Sequence, residues 1–324
     1  MDVILGVSVM MPAVARPKVL VLVAAYNGMK WIEEQVTSIL NQEGVEVTLQ
    51  FGVDQSSDGT ELWVDELCRR NPRAVTMPHG TRLGGAAKNF YRLIEHSDFK
   101  QFAYISLSDQ DDVWHRDKLA RACEVLASTD SEGYSSNVTA FWSNGKTRLI
   151  RKDWPQREWD YLFEAPGPGC TFVLTQRLAL ELQSLVAQLP SEVNKIAYHD
   201  WLCYAFARSH GYRWEIDGWE SMLYRQHDSN QQGVNLGRKA ILARLRVFSE
   251  AHWLKQGALI AEVVGMGDTV FVKNNLSLSR MSLLRLAFSS HKCRRRRGDQ
   301  IVFFALCIFL AAKGIPADNN REPK

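Results

Sequence analysis

Val19-Leu20-Val21-Leu22-Val23-Ala24-Ala25 is an unbroken aliphatic run, and it constrains the fold more than any other stretch of the chain. A strand with one wet face alternates apolar and polar residues. One that does not alternate must be buried on both faces, inside a sheet covered by helices on either side. The run stops at the turn signal Tyr26-Asn27-Gly28, after which Ile32, Val36, Ile39 and Leu40 recur at helical spacing. Val45, Val47, Leu49, Phe51 and Val53 then alternate strictly, marking a second strand. A helix with Leu62, Val64 and Leu67, a short strand at 74–77, a helix at 86–96, a strand at 102–108 and a helix at 117–128 continue the series. This β-α-β-α order predicts an α/β, Rossmann-like domain with a mostly parallel central sheet, flanking helices and right-handed crossovers.

After residue 130 the rhythm loosens. Short strands are expected at 140–143 and 149–150, a Gly- and Pro-rich loop at 164–169, a strand at 170–174 and a helix at 176–188. A helix follows His199-Asp200-Trp201, then strands at 212–216 and 221–224. The expected division is an N-terminal extension at 1–16, a main domain at 17–235 and a basic amphipathic helical region at 236–324. The extension is apolar and ends Ala13-Val14-Ala15, as a signal peptide would, but it lacks the basic segment that normally opens one. A formal net charge of +3 gives no reason to expect a nucleic-acid partner. The six cysteines are scattered with no C-x-x-C pair, which argues against a zinc site or disulfide framework and fits a reducing compartment.

The chemistry concentrates where strands end. The strand at 102–108 runs straight into Asp109-Gln110-Asp111-Asp112, and the carboxyl ends of such strands face the ligand crevice. Asp109 and Asp111, two apart, point to the same side of an extended segment and offer hard oxygen donors to a divalent cation. Without cations such a cluster repels itself; the alternative is a solvated acidic loop. Asp54 ends the alternating strand and is a candidate nucleotide contact, whereas Asp58 has the character of a helix cap. The segment at 81–89, with Arg82, Gly84, Gly85, Lys88 and Asn89, could bring backbone N–H groups and cations to an anion, or simply allow close helix–sheet packing. It lacks the Walker A spacing. Asp200 is either a general base or a helix cap, and His227, in Tyr224-Arg225-Gln226-His227, a metal or phosphate contact or an ordinary histidine.

Taken in order, these motifs resemble family 2 glycosyltransferases, which have the GT-A fold and invert the anomeric centre. The rhamnosyltransferase-like subgroup is most similar, from about residue 19 to residue 230. The resemblance rests on Ala25-Tyr26-Asn27-Gly28, Glu34-Gln35, Asp54 to Thr60, Gly84 to Phe90, Asp109 to Trp114 with Lys118, Gly167-Pro168-Gly169-Cys170, His199-Asp200-Trp201, and Tyr224 to His227 with Asn230. It implies transfer of rhamnose or another deoxyhexose from a dTDP- or UDP-sugar to a hydroxyl of a glycan or polyprenyl-linked acceptor in surface polysaccharide synthesis, with Mg or Mn as cofactor. A hexosyltransferase with another donor, or an inactive nucleotide-sugar-binding scaffold, are the other readings.

Carried over residue by residue, the resemblance makes Asp111 the principal metal ligand, with Asp109 and His227 beside it. Ala25, Tyr26, Asn27, Asp54, Arg82, Gly85, Lys88, Asn89, Asp109 and Gln110 fall on the nucleotide-sugar side. Asp200 becomes the base, and Asp112, Trp114, Gly169, His199, Trp201 and Arg225 fall on the sugar or acceptor side. Residues 17–130 become the nucleotide-sugar half and 131–235 the acceptor half. One departure is visible: the family often has two consecutive acids at the second strand end, where this chain has Val53-Asp54-Gln55. The basic run His291 to Arg297 and the apolar run Ile301 to Ala312 together read as a peripheral anchor at 291–312, ahead of the alternative of a C-terminal helix packed on the domain or a partner with a solvated basic flank. The apolar run is shorter than the ~18 residues needed to span a bilayer. A cytoplasmic protein, at the inner face of the plasma membrane, is expected.

Overall fold

The computed structural model describes residues 15–227 and 251–315. The first fourteen residues of the expected extension, Asn230 and the basic stretch at 238–246 lie outside the described residues.

One mixed sheet carries the domain. Strands β1 (Lys18–Ala25), β2 (Glu46–Val53), β3 (Ala74–Thr76) and β4 (Tyr104–Ser108) form its parallel half, with β1 between β2 and β4. The crossover helices α1 (Ile32–Leu40), α2 (Thr60–Arg70) and α3 (Ala86–His96) join them as the sequence predicts. The second half adds β5 (Val113–Trp114), β6 (Gly133–Trp142), β7 (Thr147–Ile150), β8 (Val173–Thr175) and β9 (Trp214–Gln226), in the order β3-β2-β1-β4-β8-β6-β9-β5 with β7 beside β6. Here β4–β8, β8–β6, β6–β7 and β9–β5 are antiparallel and only β6–β9 is parallel. The expectation of a mostly parallel sheet therefore holds for the first half, where helices make the crossovers, and not for the second.

The aliphatic run behaves as its composition requires. Val19, Val21, Val23 and Ala25 belong to one core with Ile32, Val36, Phe51 and Leu119, while Leu20, Leu22 and Ala24 belong to the other with Phe90, Leu107 and Leu202. Both faces of β1 are dry. At roughly 25 cal/mol per Å² of apolar area, this burial on both faces is the main local driving force.

Several strands differ from the sequence reading: β5 is not expected, and a 3-10 turn at Gly169–Thr171 shortens the strand expected at 170–174 to Val173–Thr175. β6 begins at Gly133 rather than near residue 140, because its buried start is polar. Ser135 accepts from the Trp214 indole at 3.0 Å, Ser136 donates to Ser221 at 2.7 Å, and Asn137 donates to Asp153 and to the Gly218 carbonyl, both at 2.9 Å. Satisfied polar groups of this kind carry no hydrophobic signature. β9 is a single strand where two are expected, and register shifts against Ser136, Asn137 and Thr139 interrupt its alternation.

The remaining helices are α4 (Lys118–Thr129), α5 (Gln176–Gln188), α6 (Pro190–Val193), α7 (His199–Ser209), α8 (His252–Val263), α9 (Val270–Asn275), α10 (Arg280–Phe288), α11 (Ser290–Cys293) and α12 (Arg297–Lys313). The C-terminal helices share the main core: Leu254, Ile260, Leu283, Leu286, Phe303 and Leu310 lie in the same cluster as Leu20 and Phe90. Part of the basic run points inward. Arg295, only 2% exposed, donates to Asp160 at 3.0 Å and to the Ala165 carbonyl at 2.6 Å, while its backbone N–H donates to Glu164 at 2.7 Å. Asp160 also accepts from the Tyr204 hydroxyl at 2.9 Å. Removing one member of a buried charge network strands the others, so Arg295→Ala should cost about 3–5 kcal/mol in a denaturant titration. The exposed neighbour Arg296 should cost under about 0.5 kcal/mol when replaced the same way. Equal effects would contradict the inward role of this segment.

Candidate active site

A cleft of about 1000 Å³ opens at the carboxyl ends of β1, β2 and β4, at the upper end of the range for small-molecule sites. Ala25, Tyr26, Asn27, Asp54, Arg82 and Gly85 line one side. Asp109, Gln110, Asp111 and His227 line the middle, and Gly169, His199, Asp200 and Trp201 the other side.

The acidic loop is held from two directions. The Asp111 carboxylate lies 2.6 Å from His227 Nε2, and the His227 ring stacks on Trp31 at 4.1 Å. Arg225 clamps the loop from the end of β9. Its backbone N–H donates to Asp112 at 3.0 Å, its Nε donates to the Asp111 carbonyl at 2.7 Å, and its guanidinium pairs with Glu34 on α1. Burial, then the charges of Asp111 and Asp200, push Asp109 up to about 7. That dependence puts Asp109 and Asp200 within electrostatic reach across the cleft.

Asp112 is fully buried, and burial followed by Asp111 and Asp109 raises its pKa well above the usual carboxylate range. The ammonium of Lys118 lies 3.0 Å from the centre of the Trp114 ring and donates to the Cys170 carbonyl at 2.9 Å. Burial lowers its pKa to about 7, and Asp112 is one of the charges that oppose the drop. Asp112, Trp114 and Arg225, expected on the sugar or acceptor side, do not line the cleft; they form the underside of the acidic loop.

On the nucleotide side several candidate residues turn their polar groups to the protein. Gln110 reads the backbone of Tyr26, accepting from its N–H at 2.7 Å and donating to its carbonyl at 2.8 Å. Gly28 makes room for this, since a Cβ there would collide with the Gln110 amide. Asn27, at φ 47°, accepts from the Ser57 N–H at 2.8 Å. Asp54 accepts from the N–H groups of Leu83 at 2.6 Å and Gly84 at 3.1 Å, so it ties down the Arg82–Gly85 turn. The sequence suggests a direct nucleoside contact for Asp54; its carboxylate is instead engaged with that turn. Asn89 donates to the Gly52 carbonyl at 2.6 Å, fastening α3 to β2. Lys88 is exposed and lies outside the cleft. Arg82 sits over the partly exposed ring of Tyr26 at 5.3 Å, which leaves a flat cationic surface at this end.

On the opposite side, Asp200 is the second residue of α7 and accepts from the Trp201 N–H at 2.8 Å. Burial pushes it up to about 6, with Lys152 among the opposing influences. His199 stacks on Phe90 at 4.0 Å, and burial holds its pKa down at about 3, so the ring is neutral. Gly169 backs onto both residues: a Cβ there would stand 3.3 Å from the Asp200 Cβ and collide with His199. Trp201 anchors the helix by donating to the Tyr161 carbonyl at 2.8 Å.

Trp31, Lys152, Glu164, Tyr224, Trp253 and Arg294 also line the cleft, beyond the residues the sequence points to one by one. Tyr224 opens the Tyr224–His227 motif, and Trp31 lies three residues past the Tyr26–Gly28 turn. Trp253 and Arg294 come from the C-terminal region, and no local pattern marks them.

Asp111 and His227, 2.6 Å apart, offer donors of the kind a divalent cation takes, with Asp109 lining the same cleft. A second grouping, Asp109, Asp112 and Cys170, offers atoms within 4.8 Å of one another. Its last two members are buried near Lys118 and do not line the cleft, so it is set back from where a diphosphate would enter.

A carboxylate pair at a strand end and Asp200, a carboxylate whose pKa burial raises, line the same cleft, an arrangement suited to group transfer. The family model "Glycosyltransferase like family 2" matches residues 17–185, and the chain belongs to that family. The match stops short of Asp200 and His227. The chain is 38% identical over 286 residues to the dTDP-rhamnosyl transferase RfbG of Shigella flexneri, covering 88% of this chain and 98% of that one. Among solved structures, residues 1–349 of Staphylococcus aureus TarS in complex with UDP superpose with a TM-score of 0.54 at 14% identity, over 92% of each chain. That likeness establishes the GT-A fold.

Proposed function

We propose that this glycosyltransferase moves L-rhamnose from dTDP-rhamnose to a hydroxyl of a glycan or polyprenyl-linked acceptor, inverting the anomeric carbon. The donor follows from the 38% identity to the Shigella flexneri rhamnosyl transferase. The observation that carries the mechanism is that Asp109, Asp111 and Asp200 line one cleft.

Asp111, Asp109 and His227 would hold a Mg or Mn ion, which when bound supplies positive charge for the departing diphosphate. Arg82 and the turn tied down by Asp54 sit where the nucleotide end lies. Asp200 takes the proton of the acceptor hydroxyl as that oxygen attacks the anomeric carbon and the bond to the diphosphate breaks. A single displacement with one base gives inversion, without the nucleophile needed for retention. A panel of dTDP- and UDP-sugars, each scored for divalent-metal-dependent release of nucleoside diphosphate, tests the donor. Release from dTDP-rhamnose well above the UDP-sugars is expected, and the reverse order removes the rhamnosyl reading.

Contact with the inner face of a membrane is part of the proposal. Among the described residues no helix is long and apolar enough to cross a bilayer. Phe288 on α10 and Ile301 and Phe309 on α12 are nevertheless 72%, 71% and 53% exposed, with Arg296 and Arg297 exposed nearby. An amphipathic surface of this composition suits the boundary of an anionic bilayer. Flotation with phosphatidylglycerol vesicles should recover the wild type and lose most of Phe288→Ser/Ile301→Ser. Equal recovery of the two proteins would argue against this surface.

A further inference from the structure

Lys152 follows β7 and lines the cleft on the Asp200 side. Among the described residues its ammonium makes no hydrogen bond or ion pair, although the group is half-buried. Arg294, from the segment between α11 and α12, lines the same wall. Its guanidinium donates to the Phe163 carbonyl at 3.1 Å and lies 3.5 Å from Glu164 and 4.0 Å from Asp299.

The acids near that wall are largely committed: Asp160 and Glu164 take Arg295, Glu164 and Asp299 face Arg294, and Asp200, near Lys152, is the proposed base. Glu164 also accepts from the Arg295 N–H at 2.7 Å. Burial, then Arg295, depress the Lys152 pKa, with Arg294 adding to the drop and Glu164 and Asp200 opposing it. Lys152 is thus the cation of this wall whose ammonium has no partner among the described residues, half-buried and facing the cleft, where an anion would complete it. Trp201 and Trp253 add flat apolar surfaces beside it.

We infer that Lys152 and Arg294 form an acceptor subsite, next to Asp200, that takes an anionic oxygen group carried by the acceptor: a phosphate of a lipid carrier or a carboxylate of an acidic sugar. The inference rests on the transfer reaction proposed above and names the chemical class of its second substrate. It also gives the C-terminal region a role in the site: the basic run is folded inward and places one of its arginines in the cleft. Hydrogen bonds from cations to such a group are each strong enough to give about tenfold discrimination over a neutral counterpart.

The test uses the full-length protein saturated with dTDP and Mg²⁺, so that a phosphate probe cannot occupy the donor side. Titration calorimetry compares geranyl diphosphate with geraniol, and methyl glucuronide with methyl glucoside. One anionic probe should bind about tenfold more tightly than its neutral partner, and which one does so identifies the source. Lys152→Met, checked for an unchanged melting transition, should remove that preference, and Arg296→Met, on the exposed part of the same basic run, should keep it. Arg294→Met is a second variant in case Lys152→Met does not fold. No preference for either anion in the wild type, or a preference that survives both cleft substitutions, overturns the subsite. Donor release by the wild type in the same buffer is scored separately. Its absence would count against the transferase reading, whereas its presence without anion preference counts against the subsite alone.

Discussion

Asp111→Asn should lower metal-dependent transfer by about a thousandfold, because a group that stabilises charge on the leaving diphosphate is worth about 2.7–4 kcal/mol in the transition state. The substitution keeps the shape of the side chain and its reach to His227, which lies 2.6 Å from the carboxylate, but removes its charge. Donor hydrolysis in the absence of acceptor should fall in parallel, since that step shares the same leaving group. Cys170→Ala is the informative contrast. Cys170 belongs to the buried grouping with Asp109 and Asp112, and losing it should leave metal dependence intact. A steady-state assay across a Mn²⁺ titration distinguishes the two sites. If Cys170→Ala abolishes the metal response while Asp111→Asn preserves it, the ion sits in the buried grouping instead.

Asp200→Asn should cost about a thousandfold in transfer while leaving donor affinity within about twofold, the pattern of a lost general base. The wild-type pH profile should carry the same signature. Burial raises the Asp200 pKa to about 6, and only the ionised form accepts a proton, so kcat should rise through about pH 6 and level off above it. A profile with no inflection attributable to a carboxylate, or a variant with wild-type kcat, would remove Asp200 from the chemistry. Metal affinity has its own expected dependence. Asp109 is pushed up to about 7 before a cation arrives, so apparent affinity should increase with pH up to that value.

Much of this arrangement is legible in the sequence because its signals are local. The aliphatic run of β1 and the alternation of β2 announce their burial directly, and the acidic cluster at the end of β4 falls at the cleft as its place after a strand suggests. What escapes is set by distant partners. The start of β6 reads as polar loop because Ser135, Ser136 and Asn137 find their hydrogen bonds on residues far along the chain. The roles within the acidic motif are equally invisible locally. Adjacent aspartates look alike in sequence, yet Asp111 faces the cleft and Asp112 is buried near Lys118. Asp54 sits where a nucleoside contact is expected, but the N–H groups of Leu83 and Gly84 take its carboxylate. The basic run at 291–297 reads as a solvated or lipid-facing flank. Asp160 and Glu164, contributed by another part of the chain, draw Arg295 and Arg294 inward.

The most direct measurement is a crystal structure with dTDP and Mn²⁺, with the metal located by its anomalous signal. The expected result is a single peak within bonding distance of the Asp111 carboxylate and His227 Nε2, bridging to the diphosphate, with the nucleoside toward Tyr26 and Arg82 and Asp200 facing the open end of the diphosphate. A peak held by Asp112 and Cys170, or dTDP bound with its diphosphate away from Asp111, would contradict it.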